Sequence, residues 1–397
     1  MRGAILALCL SATSLAASLL AATPLAAQDL RIGHLSLHND ARYVQDWGYA
    51  RLIVPPPILT AQAAGMAITD LAFVTDAVGL RVTLDARSAD RAALADTIAA
   101  MVAAGDSYIV LDLPAAEVEA VASAVAGLPV LLINATAPED SLRSACHGNL
   151  IHSGPSLRMQ MDTYAQYLRA MDWLSVLVLV GGDPSDAGLA AAFATSAERL
   201  RLEIVESRPF TLAANPEQRE GNNVKLLTGG SDYDVVFVAD TRGEFARFVP
   251  YATQLPRAVI GSVGLTALAW HWSMERDGAT QVSSRFDKLT ATLGAGRKMS
   301  SQDWAVWVAV KSVITGVSKT PQADLEKVRD YLKSPRLKLD GSKGVALNYR
   351  AWDGQLRMPM LLATGDAVIA IAPLEGYMHA INTLDTLGTD EAEFACD

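Results

Sequence analysis

The 397-residue chain is 51% apolar and only 19% charged, a balance that suits a large buried core and excludes a disordered polymer. Its formal net charge is −10 and it carries no basic run, which argues against nucleic acid and anionic membrane surfaces as partners. A chain of this length exceeds one ordinary core, so two lobes are expected.

In chain order, Arg2 precedes an uncharged Ala/Leu-rich run from Ala4 to Leu20. Pro24 breaks it, and small residues precede Gln28, the layout of a secretory signal peptide spanning 1–27. No later stretch is apolar enough to span a bilayer, so the mature chain is expected to be exported and not inserted in the membrane. Cys9 leaves with the leader, and Cys146 and Cys396 remain. In an oxidising compartment these two either form one disulfide or stay as buried thiols.

Ile32–Leu37 reads as a first strand, and Phe73-Val74-Thr75 as a further β-branched run. Ser88 is placed as the cap of a helix running through Val102 and ended by Gly105. Strands at Tyr108–Leu113 and Val130–Asn134 flank a helix at Ala115–Ala126. The same βαβ grammar restarts with a helix over Ser156–Ala170. A strand at Ser175–Val180, a helix at Asp186–Leu200, and strands at Leu202–Val205, Asp234–Ala239 and Arg257–Gly261 follow. Ser301–Val317 is apolar nearly all round, which predicts a helix buried between layers. Pro321 is read as starting another helix, and Gly365-Asp366 as turning two late strands into a hairpin. The expected class is therefore α/β, with two lobes, each a mainly parallel sheet flanked by helices, and a hinge near His147–Ser153. Residues 28–152 with about 262–340 form the N-terminal lobe on this reading, and 153–261 with about 341–397 the C-terminal lobe.

No nucleophile elbow, Walker loop, dinucleotide fingerprint or haem motif occurs, so neither an enzyme nor a cofactor is expected. The pairs His34/His38, His271/Glu275 and Glu375/His379 each lack a third ligand nearby, so no metal site is expected either. In open α/β sheets the ligand crevice lies outside the carboxyl ends of the strands. Those ends supply the candidate ligand-binding residues Asp40, Arg42, Tyr43, Asp76, Asp112, Asn134, Asp183 and Asp240, joined by Ser156 and Arg158 at a helix start beside the hinge. Singly, each Asp reads first as a helix cap or turn former. Together they describe a cleft for a small polar molecule. Gly181-Gly182-Asp183, between a strand and a helix, reads as a tight turn or as an anion cradle.

Several segments carry a family resemblance: Leu131–Asn134 with Ala137–Arg143, Cys146, His152 and Pro155-Ser156, then Tyr233–Asp240, Gly243-Glu244-Phe245 and Pro250–Thr253. Trp352-Asp353-Gly354-Gln355-Leu356-Arg357, Leu384-Asp385-Thr386-Leu387-Gly388 and the terminal Cys396 complete the set. The chain resembles type I periplasmic substrate-binding proteins of ABC transporters. More narrowly it resembles the branch associated with the pyrroloquinoline-quinone (PQQ)-dependent alcohol dehydrogenase system. That resemblance implies a periplasmic monomer that offers a small-molecule ligand to an ABC transporter permease. It also implies a cargo from alcohol oxidation, a quinone species or a chelated lanthanide. The alternative it leaves open is an exported sensor or docking protein of the quinoprotein system. The Gly/Ser-rich loop that binds amino acids in the wider family is absent after the first strand, so amino-acid binding is not carried over.

Overall fold

The computed structural model describes residues 28–43, 60–212, 220–294 and 296–396. The expected signal peptide at 1–27 and the Pro55-Pro56-Pro57 run lie outside them.

The chain opens with β1 (Gln28–Leu37), α1 (Ala61–Asp70), α2 (Ala72–Ala77) and β2 (Leu80–Ala89). It continues through α3 (Leu94–Ala103), β3 (Asp106–Asp112), α4 (Ala115–Ala124), β4 (Leu131–Asn134), α5 (Ser141–Ser144) and β5 (Leu150–His152). The five strands form one parallel sheet in the order β2-β1-β3-β4-β5. Its inner strands β3 and β4 are largely apolar on both faces because helices cover both. Ile109, Leu111 and Leu132 pack with Ile98, Met101 and Val121 of α3 and α4. Tyr108, Val110, Leu131 and Ile133 point the other way, into a core shared with α1 and a long later helix. Each such fully buried Val or Leu contributes roughly 1.5–3 kcal/mol.

A second parallel sheet repeats the plan. Here α6 (Leu157–Ala170), β6 (Ser175–Val180), α7 (Pro184–Arg199), β7 (Glu203–Pro209), α8 (Val224–Leu227), β8 (Val235–Ala239) and β9 (Ala258–Gly261) give the order β7-β6-β8-β9. Val176, Val178, Val235 and Phe237 face Tyr164, Leu168 and Phe193 of α6 and α7. Leu177, Leu179, Val236 and Val238 face Phe210, Phe245 and Val249 on the opposite side.

The remaining chain returns to both units. It comprises β10 (Thr266–Leu268), α9 (Ala279–Thr292), α10 (Ser301–Lys319), α11 (Leu325–Leu332), β11 (Leu339–Asp340), β12 (Ala346–Leu347), β13 (Met360–Ala363) and β14 (Val368–Ala372). The all-round apolar helix is α10, packed against α1 and β3, with Leu339, Leu347 and Tyr349 in the same core. Its two tryptophans keep their indole N–H groups satisfied, Trp304 by the Gly341 carbonyl (3.0 Å) and Trp307 by Asp70 (2.9 Å). The antiparallel set β10-β13-β14 packs instead on α6, and β13 and β14 are the two arms of the predicted hairpin.

Three local expectations give way. Ser88 lies inside β2, because the alternating Leu80-Arg81-Val82-Thr83-Leu84 pattern pairs with β1 over ten residues; the helix follows Asp90 instead. Phe73-Val74-Thr75 belongs to α2, a short helix that leads through Gly79 directly into β2, and tertiary context overrides its β-branched preference. Asp76 is thereby an exposed helical residue and ends no strand. The helix expected from Pro321 begins at Leu325, where the Asp324 carboxylate caps the Lys327 N–H at 2.9 Å.

Candidate functional site

In both parallel sheets the second strand lies outside the first and the third on its other side, so the winding reverses between β1 and β3 and again between β6 and β8. At such switch points diverging loops leave a crevice beyond the carboxyl ends of the strands.

At the first switch point, Asp112 ends β3 and is fully buried. Its carboxylate accepts from the Tyr43 hydroxyl (2.5 Å), the Thr60 hydroxyl (2.8 Å) and the Arg42 guanidinium (3.3 Å). Arg42 also grips Asp40 (2.6 Å) and reaches Thr136 beyond β4 (3.1 Å). Thr60 in turn meets His34 Nε2 of β1 at 2.9 Å. Burial works against the Arg42 charge, but the Asp40 bond and the neighbouring acidic groups outweigh it and raise its pKa. Burial, reinforced by Asp112, pushes the Tyr43 phenol up, so it stays protonated and donates. Burial lowers His34, which is therefore neutral. Four of the predicted residues, Asp40, Arg42, Tyr43 and Asp112, thus form one cluster. His34, Thr60 and Thr136 complete it; the four-residue spacing to His38 marked His34, whereas nothing local marks Thr60 or Thr136.

The second switch point is built from caps and turns. Asp240 follows β8 and receives the backbone N–H groups of Gly243 (3.0 Å), Phe245 and Ala246 (both 2.8 Å). The Gly181-Gly182-Asp183 turn holds a carboxylate of the chain itself. Asp186 of α7 accepts from the Asp183 N–H (3.3 Å) and from Thr241, and it packs so tightly on Gly181 that a Cβ there would lie 2.1 Å from its oxygen. The anion cradle is therefore filled from within.

The other candidates hold the hinge. Asn134 brackets the Ala137 peptide (2.8 and 3.0 Å) and meets His152. Ser156 caps α6 through Met159 N–H (3.2 Å). Arg158 bonds Glu393, and its backbone N–H bonds Asp140. Beside them Arg143 is buried without a carboxylate in contact, sharing its donors among Gln355 and the carbonyls of Ala137, Glu139 and Gly154. Burial brings it down to about 10, which leaves it charged at neutral pH. Gln355 itself donates to the Gly154 carbonyl (2.9 Å), so two of the segments that run between the lobes, 153–156 and 355–357, are stitched together. Cys146 and Cys396 form a disulfide with Cα atoms 5.6 Å apart.

A cavity of about 170 Å³ lies where these parts converge: Thr136 on the first sheet's carboxyl side, Gly154 and Pro155 of the hinge, Gln160 of α6, the Ala267–Ala269 backbone, and Ser301 and Gln302 at the start of α10. A larger hollow of about 560 Å³ follows β14, between Ser273–Arg276 and Asp366–Ile371, and touches none of the strand-end residues. The smaller cavity sits where the winding of the sheets predicts a crevice. Among the described residues no cluster of three or more His, Cys, Asp or Glu could hold a metal ion: His34 meets Thr60, His271 meets Ser273, and His379 meets Asp390. No described helix is long and apolar enough to cross a membrane.

No protein-family model and no curated protein matches the chain. Solved structures do. A branched-chain amino acid ABC transporter periplasmic ligand-binding protein from Burkholderia xenovorans is similar at TM-score 0.65 and 16% identity, over 86% of this chain and 95% of that one. The leucine-, isoleucine-, valine-, threonine- and alanine-binding protein of Brucella ovis, in its closed conformation, matches at TM-score 0.65 and 14% identity over 85% and 89%. An ABC transporter solute-binding protein of Rhodopseudomonas palustris in complex with 3,4-dihydroxybenzoic acid matches at 0.60 and 14% over 85% and 93%. With two parallel helix-flanked sheets joined by hinge segments, this chain has the two-lobed fold of the type I periplasmic binding proteins.

Proposed function

We propose that this protein is the exported, non-enzymatic solute-binding component of an ABC transporter, and that it closes its lobes on a small polar molecule. The observation carrying this reading is the cavity bounded by both lobes and by the hinge at the carboxyl side of the first sheet. Its described lining offers hydroxyl, amide and backbone groups. The acids of both strand ends are already committed, Asp112 to three donors and Asp240 to three N–H groups. Of the candidate residues, Asn134 and Ser156 adjoin the lining residues Ala135 and Pro155 in the chain, and Arg42 reaches the lining through Thr136. On this reading the first lobe takes residues 28–152 with α9, α10, α11, β11 and β12, and the second takes α6 to β10 with β13, β14 and the tail, although Met360, Leu361, Ala372 and Leu387 also pack into the first core.

The amino acids and hydroxybenzoates bound by structural neighbours are the first probes. Calorimetric titration with leucine and 4-hydroxybenzoate tests the cleft directly: binding that Gln160→Ala and Thr136→Ala weaken supports it, and binding unchanged by both places the ligand elsewhere. The narrower link to PQQ-dependent alcohol oxidation rests on the Trp352–Arg357 and Leu384–Gly388 segments. Native mass spectrometry of protein taken from its own periplasm tests that link. A bound alcohol-pathway metabolite, quinone or metal chelate supports it, and an amino acid removes it. A protein empty of cargo that still triggers gene induction favours the sensor role over transport.

A further inference from the structure

Three peptide segments run between the lobes, and the last residues of the chain make a fourth connection. Asp385 sits between two hinge arginines, Arg350 and Arg357, each donating its Nε at 2.8 Å. Arg350 also donates to the carbonyls of Leu384 and Leu387. The tail then fastens to the second lobe. The Thr386 carbonyl accepts from Gln166 of α6 (3.3 Å) and Arg199 of α7 (3.1 Å), and the Gly388 N–H donates to Asp162 of α6 (2.8 Å). Gly388 has φ +85° and lies so close to the hinge that a Cβ would come within 2.9 Å of Met159 and 3.0 Å of Arg350. Beyond it, a turn at Asp390–Glu393 is held at both ends, by His379 on Asp390 (2.7 Å) and Arg158 on Glu393 (3.2 Å). The tail finally reaches the first lobe, where Cys396 is bonded to Cys146 in the loop between α5 and β5.

We propose that residues 384–396 are a disulfide-anchored strap that limits how far the lobes open. This inference rests on the proposed closure of the lobes. Between its grip on α6 at Gly388 and its covalent anchor at Cys396 the strap has seven residues, whose eight Cα–Cα steps extend to about 29 Å at most. Part of that length is folded into the Asp390–Glu393 turn, so opening first pulls out the turn and then meets the disulfide. A receptor restrained in this way spends more time near its closed geometry, and its apparent affinity gains by the fraction of binding-competent molecules.

The test measures interlobe distances by spin-label spectroscopy, with labels on Ala99→Cys in α3 and Ala187→Cys in α7, in the full mature chain. The strap is cut by the paired change Cys146→Ser and Cys396→Ser, with circular dichroism confirming the fold. In a second variant, Asp390→Ala with Glu393→Ala, the turn is released and the disulfide kept. Cutting should shift the distances longer and broaden their distribution, and releasing the turn should give an intermediate shift. Leucine and 4-hydroxybenzoate are titrated into each background as closure probes. If cutting changes nothing while a probe still shortens the distance, the strap is overturned and lobe closure stands. If a single rigid distance persists in every background with every probe, both readings fall.

Discussion

The two switch points have the same winding and opposite construction. At the first, Asp112 is held by side chains from positions 43, 60 and 42, drawn together only by the tertiary fold. At the second, Asp240 is held by N–H groups three to six residues downstream, within its own turn. Equivalent carboxylates thus do different work. One is the knot of a long-range cluster, and the other finishes a local turn. Position at a strand end identifies where a crevice can form, and the origin of the hydrogen-bond donors decides what the residue there does.

The largest test of that contrast is to delete each carboxylate. Asp112→Ala leaves the buried Thr60 hydroxyl and the half-buried Tyr43 and Arg42 short of an acceptor, Arg42 keeping Asp40, at about 1–3 kcal/mol for each donor left unsatisfied away from water. Asp240→Ala removes a backbone cap, for which about 1–2 kcal/mol is expected. Urea denaturation of both variants measures the difference. Equal losses would show that the first cluster is no more cooperative than a turn.

How much of this was legible beforehand follows the same divide. Local signals were readable: the Ser156 cap, the Gly365-Asp366 hairpin, the Ser175–Val180 strand and the all-round apolar helix α10 all rest on residues close in sequence. At the first switch point, Asp40, Arg42, Tyr43 and Asp112 were legible as polar strand ends, but their mutual contacts were not. Thr60 carries no mark at all, because its role depends on a carboxylate 52 residues away. Edge strand β2 was missed for a related reason. Its exposed Arg81 and half-buried Asp85 and Arg87 dilute the apolar run that reveals a buried parallel strand. The hinge arginine Arg143 lay within a recognised segment, yet its partner Gln355 is 212 residues distant.

A titration separates the lobes at somewhat smaller cost. The strands of the first sheet carry two buried histidines, His34 and His152, both lowered by burial from 6.5, with Arg143 adding to the effect at His152. The strands of the second sheet carry none. In the unfolded chain each imidazole takes up a proton as pH falls through about 6.5, while the folded one resists. Their contribution is therefore complete above that pH and is lost below it, at up to about 1.4 kcal/mol per pH unit for each group. Amide exchange, corrected for intrinsic rates, should rise first in β1, β3 and β5 between about pH 7 and 5.5. Equal loosening of both sheets would trace the acid response to other groups.

The finest comparison uses one threonine from each end. Thr60 and Thr241 both donate a hydroxyl to a carboxylate, at 2.8 Å to Asp112 and 2.6 Å to Asp186. Thr60 is 1% exposed and also serves His34, so Thr60→Ala leaves two buried groups short of a partner, a loss of about 1.5–3 kcal/mol. Thr241 is exposed, and its backbone N–H keeps Asp186 supplied at 2.7 Å after Thr241→Ala, so water and that bond hold the loss to about 0.5 kcal/mol. The two hydroxyls are alike in geometry and differ in burial and in what remains when they are gone. If Thr241→Ala proves as costly as Thr60→Ala, Asp186 depends on that hydroxyl as Asp112 depends on its own, and the second switch point is a tertiary cluster like the first.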